Sequence, residues 1–287
     1  MFAVVFYQGI TAMDVAERPI PRDHVCIKPD LVLINGIENS IYLGILWVEP
    51  LRILGGVATG VVKSVGVDVD QSLVGKKILT FPFSMSYGGI GTDVDGVMAS
   101  RAVIPRDSIV YLPQAGAEEK HLLLPYVSIV SQVMEMAEGK RVLIIGSGLL
   151  GIISSYLLRD KAFEVAMYRD SFSYSIRGDF KEIRELKDTW DLVVVSSLRG
   201  WVRSYVYKLI GEKGKAVLPK ISKRWPPFVV GKSNVVEVYP NPQAADYALL
   251  NKMPSKLISE ILGKSDDIIS SIPSTKPGVL VNFPDPQ

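Results

Sequence analysis

Short apolar runs alternate with turn-forming residues through the first hundred residues of the chain. Runs at 25–29, 31–34, 60–66 and 99–105 are rich in valine and isoleucine and are bounded by glycine, proline or aspartate. This composition and spacing are typical of strands. The pattern therefore predicts a compact β-rich domain, a distorted barrel, over residues 1–115.

The pattern changes near residue 115, where strands begin to alternate with helices. Apolar residues in 117–138 have helical spacing, and 141–145 is a continuous apolar strand. Alternation of this kind indicates parallel βαβ units over residues 116–239. The short interval before Asp191 indicates that one βα layer is trimmed. The pattern predicts a helix at about 149–159, a strand at 163–168, a charged helix around 180–187, a strand beginning at Asp191, a helix near 200–210 and a strand at 215–218.

The C-terminal segment, about 240–287, carries a helical pattern at 254–262 and a final apolar run at 278–284. We predict that this final run is a strand that returns to the N-terminal domain and completes it. The predicted fold class is therefore α/β, with one β-rich domain and one domain of βαβ units.

The composition and the N-terminal sequence limit the binding partners and the cellular location that we expect for the protein. The 287 residues are 48% hydrophobic and 22% charged, and the net charge is +2. This charge gives no reason to expect nucleic acid or an anionic membrane as partner, and no apolar run is long enough to span a bilayer. The N-terminus has no basic lead and no cleavage site, so we expect a cytoplasmic protein that acts on a small molecule.

Cysteine and histidine are scarce, since the chain contains only Cys26, His24 and His121. One cysteine cannot form an intrachain disulfide, and a structural zinc site built on cysteines is impossible. The two histidines share no motif spacing with each other or with an acidic cluster. The sequence therefore predicts no metal site.

A glycine-rich segment directly follows the apolar strand at 141–145 and opens the predicted helix. The pattern GxGxxG in this context indicates the dinucleotide-binding turn of a Rossmann domain. Its glycines allow a tight turn, close approach of the backbone to the pyrophosphate, and close packing of helix and strand. The alternative is a glycine-rich turn that binds nothing. The candidate cofactor-binding residues are Gly146, Ser147, Gly148, Leu149, Leu150 and Gly151, together with Ser196 after the strand that begins at Asp191.

The end of the second strand of such a domain selects the dinucleotide. An NAD site usually has Asp or Glu there to bind the ribose hydroxyls, but by register Arg169 takes this position and Asp170 follows. A guanidinium suits a 2′-phosphate, and Ser171 and Arg177 are further candidates to bind it. The sequence therefore favours NADP(H) over NAD(H). In the alternative register Asp170 binds NAD and Arg169 is a surface charge.

Three further segments are informative: Leu54-Gly-Gly-Val-Ala-Thr-Gly-Val-Val-Lys-Ser-Val-Gly66, Val74-Gly-Lys-Lys-Ile78 and Gly96-Val-Met-Ala-Ser-Arg-Ala-Val-Ile-Pro105. With the glycine-rich turn, they make the chain resemble the medium-chain dehydrogenase/reductase family over roughly residues 20–220. The resemblance implies a GroES-like catalytic domain beside the Rossmann domain and an active site in the cleft between them. It also implies a homodimer or homotetramer.

The sequence departs from the zinc-dependent members of that family. Where those members have a zinc-binding cysteine this chain has Asn35, and their His–Glu pair falls on Gly56 and Val57. A further acidic position falls near Leu124, and the four-cysteine structural lobe is missing from residues 87–95. We therefore expect no catalytic zinc.

Asn35 instead resembles the zinc-free quinone oxidoreductases, which often carry asparagine there. An amide both donates and accepts hydrogen bonds, so it could orient a carbonyl or the nicotinamide carboxamide without a metal. Tyr42 and Tyr126 are candidate proton or hydrogen-bond donors. Glu38 lies where zinc-dependent members place an acid beside the metal. For Glu38, Tyr42 and Tyr126 a purely structural role is the alternative.

The leading hypothesis is a zinc-independent, NADP(H)-dependent oxidoreductase that transfers hydride to a carbonyl, enone or quinone. Without a Lewis acid, substrates that delocalise the incoming charge are favoured. The alternative is a non-catalytic dinucleotide-binding protein, a sensor or assembly subunit. A third hypothesis, a dehydrogenase of zinc-dependent type with a sugar or polyol substrate, requires a metal.

Overall fold

A computed structural model describes residues 1–112, 118–169, 173–176, 178, 180–223 and 234–283 of the chain. The N-terminal part of these residues is dominated by short strands, as the apolar pattern predicts. Its elements are β1 (Phe2–Phe6), β2 (Ile10–Asp14), β3 (His24–Ile34), α1 (Gly36–Tyr42), β4 (Arg52–Ile53), β5 (Val57–Val65), β6 (Lys77–Thr80), β7 (Phe83–Ser84), β8 (Gly88–Gly89), β9 (Ala102–Pro105) and β10 (Ile109–Tyr111).

Helices and strands alternate in the second part. No helix in the described part of the chain is long and apolar enough to cross a membrane. The elements are α2 (Leu124–Ala137), β11 (Arg141–Ile145), α3 (Leu149–Leu158), β12 (Glu164–Tyr168), β13 (Lys181–Ile183), β14 (Trp190–Val195), α4 (Gly200–Tyr205), β15 (Ile210–Pro219), β16 (Val235–Val238), α5 (Ala244–Lys252), α6 (Ser255–Ile261), β17 (Leu262–Ser265) and β18 (Gly278–Asn282).

A seven-stranded sheet organises the first domain. Its strand order is β10-β6-β5-β3-β18-β17, and β9 also pairs with β3. Successive side chains of a strand point to opposite faces, so Val32 and Ile34 enter one apolar core and Leu33 enters another. β18 pairs antiparallel with β3, which places the predicted final strand in the N-terminal domain. The boundary near residue 115 stays a prediction, because residues 113–117 lie outside the described ranges.

Six parallel strands form the sheet of the second domain, in the order β13-β12-β11-β14-β15-β16. β11 is paired on one side with β12 and on the other with β14, so the direction of winding reverses at this strand. In a doubly wound sheet such a reversal opens a crevice at the carboxyl ends of the strands, where dinucleotides bind. The predicted α/β fold, with a GroES-like and a Rossmann domain, is confirmed.

The connections before and after β13 contain no helix in their described residues. The segment 184–189 instead crosses from β13 to β14, and its Leu186 packs on the sheet face beside Leu143 and Val193. The strand of the unit predicted to be trimmed is present as β13, and only its helices are absent from the described residues. The predicted charged helix around 180–187 is wrong: these residues include the edge strand β13, and charged side chains are typical of exposed sheet edges.

The two domains share one apolar core. Helices α2 and α3 pack on one face of the parallel sheet, and Leu33, Val57, Leu79 and Leu280 from the first domain belong to the same buried cluster. Because this core is continuous, it fixes the position of the two sheets relative to each other. The segment where β3 leads into α1 lies at this junction.

We expect Leu280→Ala to lower the free energy of unfolding by about 2–5 kcal/mol, the usual cost of truncating a buried leucine. Leu280 is 3% exposed and lies in the shared core. Urea unfolding followed by circular dichroism measures the change. Asn282→Ala on the same strand is the control, because Asn282 is exposed; its effect should stay within about 0.5 kcal/mol. An equal loss of unfolding free energy in both variants would contradict the assignment of Leu280 to a shared core.

Candidate functional site

A cleft of about 1050 Å³ that is open to solvent lies where the two domains meet. Its walls are formed by the start of α1, the start of α2, the turn after β11, and the loops after β14 and β15. These last three segments follow the carboxyl ends of parallel strands, the usual place for a ligand in this fold.

The glycines of the turn after β11 have the conformations that a dinucleotide-binding turn needs. Gly146 has a φ of +112°, a region that favours glycine. A Cβ at Gly151 would lie 1.9 Å from the carbonyl oxygen of Gly146, so only glycine allows the helix to pack this closely. A Cβ at Gly148 would meet nothing within 4 Å. The space in front of Gly148 is therefore open to a ligand.

The other candidate residues of this turn divide into two groups. Leu149, Leu150 and Ser196 line the cleft, and the hydroxyl of Ser196 donates to the carbonyl of Gly146 at 2.9 Å. Ser147 is not among the cleft-lining residues. Its hydroxyl is buried and accepts a hydrogen bond of 2.7 Å from the backbone N–H of Tyr174.

Asn35 starts helix α1 and lines the cleft. Its Oδ1 accepts the backbone N–H of Ile37 at 2.9 Å, while Glu38 Oε2 accepts the backbone N–H of Asn35 at 2.9 Å. This reciprocal pair is a capping box, which satisfies the free N–H groups of a helix start. Nδ2 of Asn35 is buried and, within the described residues, has no hydrogen-bond partner. One end of the amide therefore holds the helix, and the other end is buried without a partner among the described residues.

Glu38 is 1% exposed and lies beneath the cleft rather than on its surface. Burial disfavours the charged carboxylate and raises its pKa from 4.5 to about 7, while hydrogen bonds from the backbone N–H groups of Asn35 and Glu38 act in the opposite direction. The structure thus gives Glu38 a capping role through Asn35.

Tyr126 is the second candidate that lines the cleft. Its hydroxyl is buried, and no described residue forms a hydrogen bond with it. Burial, and to a lesser degree the charge of Glu38, raise the pKa of Tyr126 well above its ordinary value. The side chain is therefore a neutral hydroxyl that donates or accepts a hydrogen bond.

Tyr42 lies away from this site. It is the last residue of α1, its side chain is 53% exposed, and it is not among the residues that line the cleft. The helix directs its start, not its end, toward the cleft. The expectation that Tyr42 lies near the cleft is therefore corrected.

Arg169 lies directly after β12, where the sequence register places it, but its guanidinium is already bonded. It is 14% exposed and forms a 2.8 Å ion pair with Glu182. It also donates to the backbone carbonyls of Tyr174 and Ile176. The guanidinium holds the pKa of Glu182 below its ordinary value, so the pair is charged at neutral pH. The other residues predicted to read the ribose, Asp170, Ser171 and Arg177, lie outside the described residues.

Sequence reasoning missed the loop that follows β15. Lys220 lines the cleft and pairs with Glu237 at 2.8 Å. The adjoining Ser222 hydroxyl donates to Asp93 at 2.8 Å, and the backbone N–H of Lys223 donates to the same carboxylate at 2.6 Å. These bonds fasten the loop to the first domain. The rule that ligands bind beyond parallel strands would have identified this loop.

The donor set of the cleft does not fit a zinc ion. No group of three or more His, Cys, Asp or Glu side chains able to hold a metal occurs among the residues the structure describes. Zinc sites in proteins use nitrogen, thiolate and carboxylate ligands that converge. At the positions that correspond to zinc ligands in the resembling family, Asn35, Gly56, Val57 and Leu124 are all buried, and only Asn35 has a polar side chain.

Fold and cleft together define a two-domain α/β protein with a doubly wound parallel sheet and a cleft between its domains. Solved structures narrow this class to the fold of the medium-chain dehydrogenase/reductase family. A short chain alcohol dehydrogenase from Escherichia coli CFT073, complexed with cofactor NADH, superposes with a TM-score of 0.70 at 16% identity, over 99% of both chains.

Two further solved structures superpose on this chain in the same way. A thermostable alcohol dehydrogenase from Pyrobaculum aerophilum superposes with a TM-score of 0.69 at 14% identity, over 98% of this chain and 99% of that chain. Haloferax mediterranei glucose dehydrogenase, in complex with NADP, Zn and gluconolactone, gives 0.65 at 13% identity, over 99% of both chains. No protein-family model and no curated protein matches the sequence.

Glycine substitutions in the turn should separate folding from ligand binding. We expect Gly151→Ala to destabilise the protein by about 1–3 kcal/mol, since its Cβ would overlap the Gly146 carbonyl. Gly148→Ala should change stability by less than about 0.5 kcal/mol but weaken dinucleotide binding, because its Cβ enters the open space. Thermal unfolding and dinucleotide titration measure the two effects. Unimpaired dinucleotide binding by Gly148→Ala would rule out this turn as the pyrophosphate site.

The buried carboxyl of Glu38 should make stability depend on pH. Because folding raises its pKa from 4.5 to about 7, the folded chain binds the proton more tightly than the unfolded chain. The stability that Glu38 contributes is therefore full below pH 4.5 and is lost as the pH rises through 7. The loss is about 3 kcal/mol at 1.36 kcal/mol per pKa unit. Glu38→Gln should abolish this slope in urea unfolding measured from pH 4.5 to 8, and an identical slope in both proteins would contradict the assignment.

Proposed function

We propose that this protein is a zinc-independent, NADP(H)-dependent oxidoreductase that transfers hydride to a carbonyl, enone or quinone. The observation that carries the proposal is a pair of buried polar atoms, Asn35 Nδ2 and the Tyr126 hydroxyl. Both belong to side chains that line the cleft, and neither has a partner in the described residues. Buried polar groups in native proteins are almost always paired. Two unpaired groups at one cleft therefore indicate that a ligand oxygen completes them.

The rest of the cleft wall supports an apolar substrate. Ile37, Pro82, Ile129, Leu198 and Ile221 contribute apolar surface around the two polar groups. Binding pockets for small molecules combine mostly apolar walls with a few placed polar groups. A conjugated carbonyl compound fits this pattern, because its oxygen meets the donors and its carbon skeleton meets the wall.

The two donors stabilise negative charge on the substrate oxygen. A bound nicotinamide dinucleotide supplies the hydride for such a reaction. Nδ2 of Asn35 donates to the oxygen, and the capping box fixes the amide in one orientation. The Tyr126 hydroxyl donates a hydrogen bond to the same oxygen and keeps its own proton, because burial raises its pKa. The proton that completes the alcohol or enol comes from solvent on the open side of the cleft.

Near the cleft, the described residues fit the pyrophosphate part of a dinucleotide. The open space at Gly148 and the free N–H groups at the start of α3 suit a pyrophosphate. We propose NADP(H) over NAD(H), because Arg169 stands at the end of β12, where the ribose 2′ substituent is read in this fold. To bind a 2′-phosphate, the Arg169 guanidinium must break its ion pair with Glu182. The structures that this chain resembles hold NADH in one case and NADP in another.

Two contacts favour a second candidate, a dinucleotide-binding protein without catalysis. Ser147 and Arg169, both predicted to bind the cofactor, are already bonded to other parts of the chain. In a sensor, such contacts would be exchanged for the ligand and the exchange itself would be the signal. Binding without turnover across a broad substrate panel would favour this candidate.

The experiment that tests the proposal is a titration with NADPH and NADH, followed by nicotinamide fluorescence, and then a panel of aldehydes, enones and quinones in the presence of a chelator. We expect binding of NADPH in the micromolar range and reduction of an enone or quinone. Asn35→Asp keeps the helix-capping oxygen but removes the donor, so kcat/KM should fall by about 100-fold or more. Tyr126→Phe should reduce kcat/KM by at least about 10-fold.

The same two variants provide the folding control. Tyr126→Phe removes a hydroxyl that has no partner within the described chain, so the free energy of unfolding should stay equal or rise slightly. Dinucleotide affinity should change by less than about threefold in both variants, as neither side chain holds the pyrophosphate. Failure of the wild type to bind either dinucleotide would overturn the proposal. Full activity of Asn35→Asp would overturn the role of the amide. The homodimer or homotetramer and the cytoplasmic location stay predictions.

A further inference from the structure

The contacts of Arg169 suggest how selectivity between the two dinucleotides is set. Arg169 follows β12 at the carboxyl edge of the parallel sheet, and its backbone N–H donates to the carbonyl of Ile183 at 3.1 Å. Its side chain therefore lies against the neighbouring edge strand β13. From that strand Glu182 reaches the guanidinium at 2.8 Å.

Among the described residues, Glu182 is the anion that neutralises this guanidinium. Its side chain is 38% exposed and also receives weaker contacts of 3.4 Å from Arg184. The guanidinium also donates to the neutral backbone carbonyls of Tyr174 and Ile176. In the described part of the chain, Glu182 is thus the carboxylate with which a second anion must compete for Arg169.

We propose that Glu182 is a specificity-determining residue that competes with the ribose 2′-phosphate for Arg169. The inference rests on the proposed function, since it assumes that a dinucleotide binds at the carboxyl ends of these strands. A phosphate carries up to two negative charges and three acceptor oxygens, so it can displace a carboxylate from a guanidinium. A ribose 2′-hydroxyl has no charge and leaves the Arg169–Glu182 pair intact.

The exchange lowers the affinity for NADPH in two ways. Breaking the existing charged hydrogen bond removes part of the free energy gained from the phosphate. The released carboxylate then stays near the phosphate, and like charges at short distance repel each other. Neither effect acts on NADH. Glu182 therefore keeps the preference for NADPH smaller than an unpaired arginine would give.

The test compares Glu182→Gln with Glu185→Gln. Both variants remove one negative charge from the same short region, but Glu185 pairs with Lys187 and is exposed. Dissociation constants are measured for NADPH and NADH, and also for adenosine 2′,5′-bisphosphate and 5′-AMP, which probe the adenosine half alone. We expect Glu182→Gln to raise the preference for NADPH over NADH by about fivefold or more. The preference for the bisphosphate over AMP should rise in parallel, while Glu185→Gln changes both by less than about twofold.

Arg169→Gln and the double variant complete the cycle. If Glu182 acts mainly by competing for Arg169, the effect of Glu182→Gln on either preference should be clearly smaller when Arg169 is already glutamine, because only the repulsion between carboxylate and phosphate then remains. Circular dichroism and thermal unfolding check that each variant is folded. If the dinucleotides bind but Glu182→Gln leaves both preferences unchanged, this inference is overturned and the proposed function stands. If neither the dinucleotides nor the adenosine fragments bind any of the proteins, the proposed function falls and this inference falls with it.

Discussion

The continuous packing between the two domains is the constraint on which the site depends. Leu33 and Leu280 project from adjacent strands of the first sheet into the core that α2 and α3 form with the parallel sheet. The next residues after Leu33 end the strand and start α1, so the same packing that joins the domains also brings Asn35 to the cleft. Burial of these side chains thus fixes the distance between the candidate donors and the dinucleotide turn.

Asn35 combines two duties that would conflict in most side chains. Its oxygen and backbone N–H are used by the capping box, so the amide cannot rotate without the loss of a hydrogen bond to Ile37. The nitrogen therefore points in a fixed direction before any ligand arrives. Preorganised donors of this kind stabilise developing charge without reorganising at the moment of reaction. The buried Glu38 beneath them supports this geometry at a cost in stability near neutral pH.

Local pattern was sufficient to predict the two domains and the glycine-rich turn. The family resemblance supplied four candidate catalytic side chains, and two of them, Asn35 and Tyr126, line the cleft. Prediction from local pattern failed where one pattern of residues is compatible with two kinds of structure. The charged residues around Glu182 suit a helix surface and an edge strand equally, and only pairing with β12 decides between them. The position of Arg169 could be read from the register, but its ion pair could not, because Glu182 lies thirteen residues away. The loop fastened by Asp93 depends on contacts across about 130 residues.

The connection from β13 to β14, which is described throughout and contains no helix, also has a mechanical consequence. Ile183 and Val195 lie in the same row of paired residues across the sheet. The next strand in the sequence, β14, starts at Trp190, which is five residues before Val195 and three strands away from β13. The ends of this connection are therefore about 22 Å apart at normal strand spacings, and seven residue steps extend to at most about 25 Å. The connection has almost no spare length. An added residue would relax it, but a deleted residue would pull β13, with Glu182, away from its neighbour.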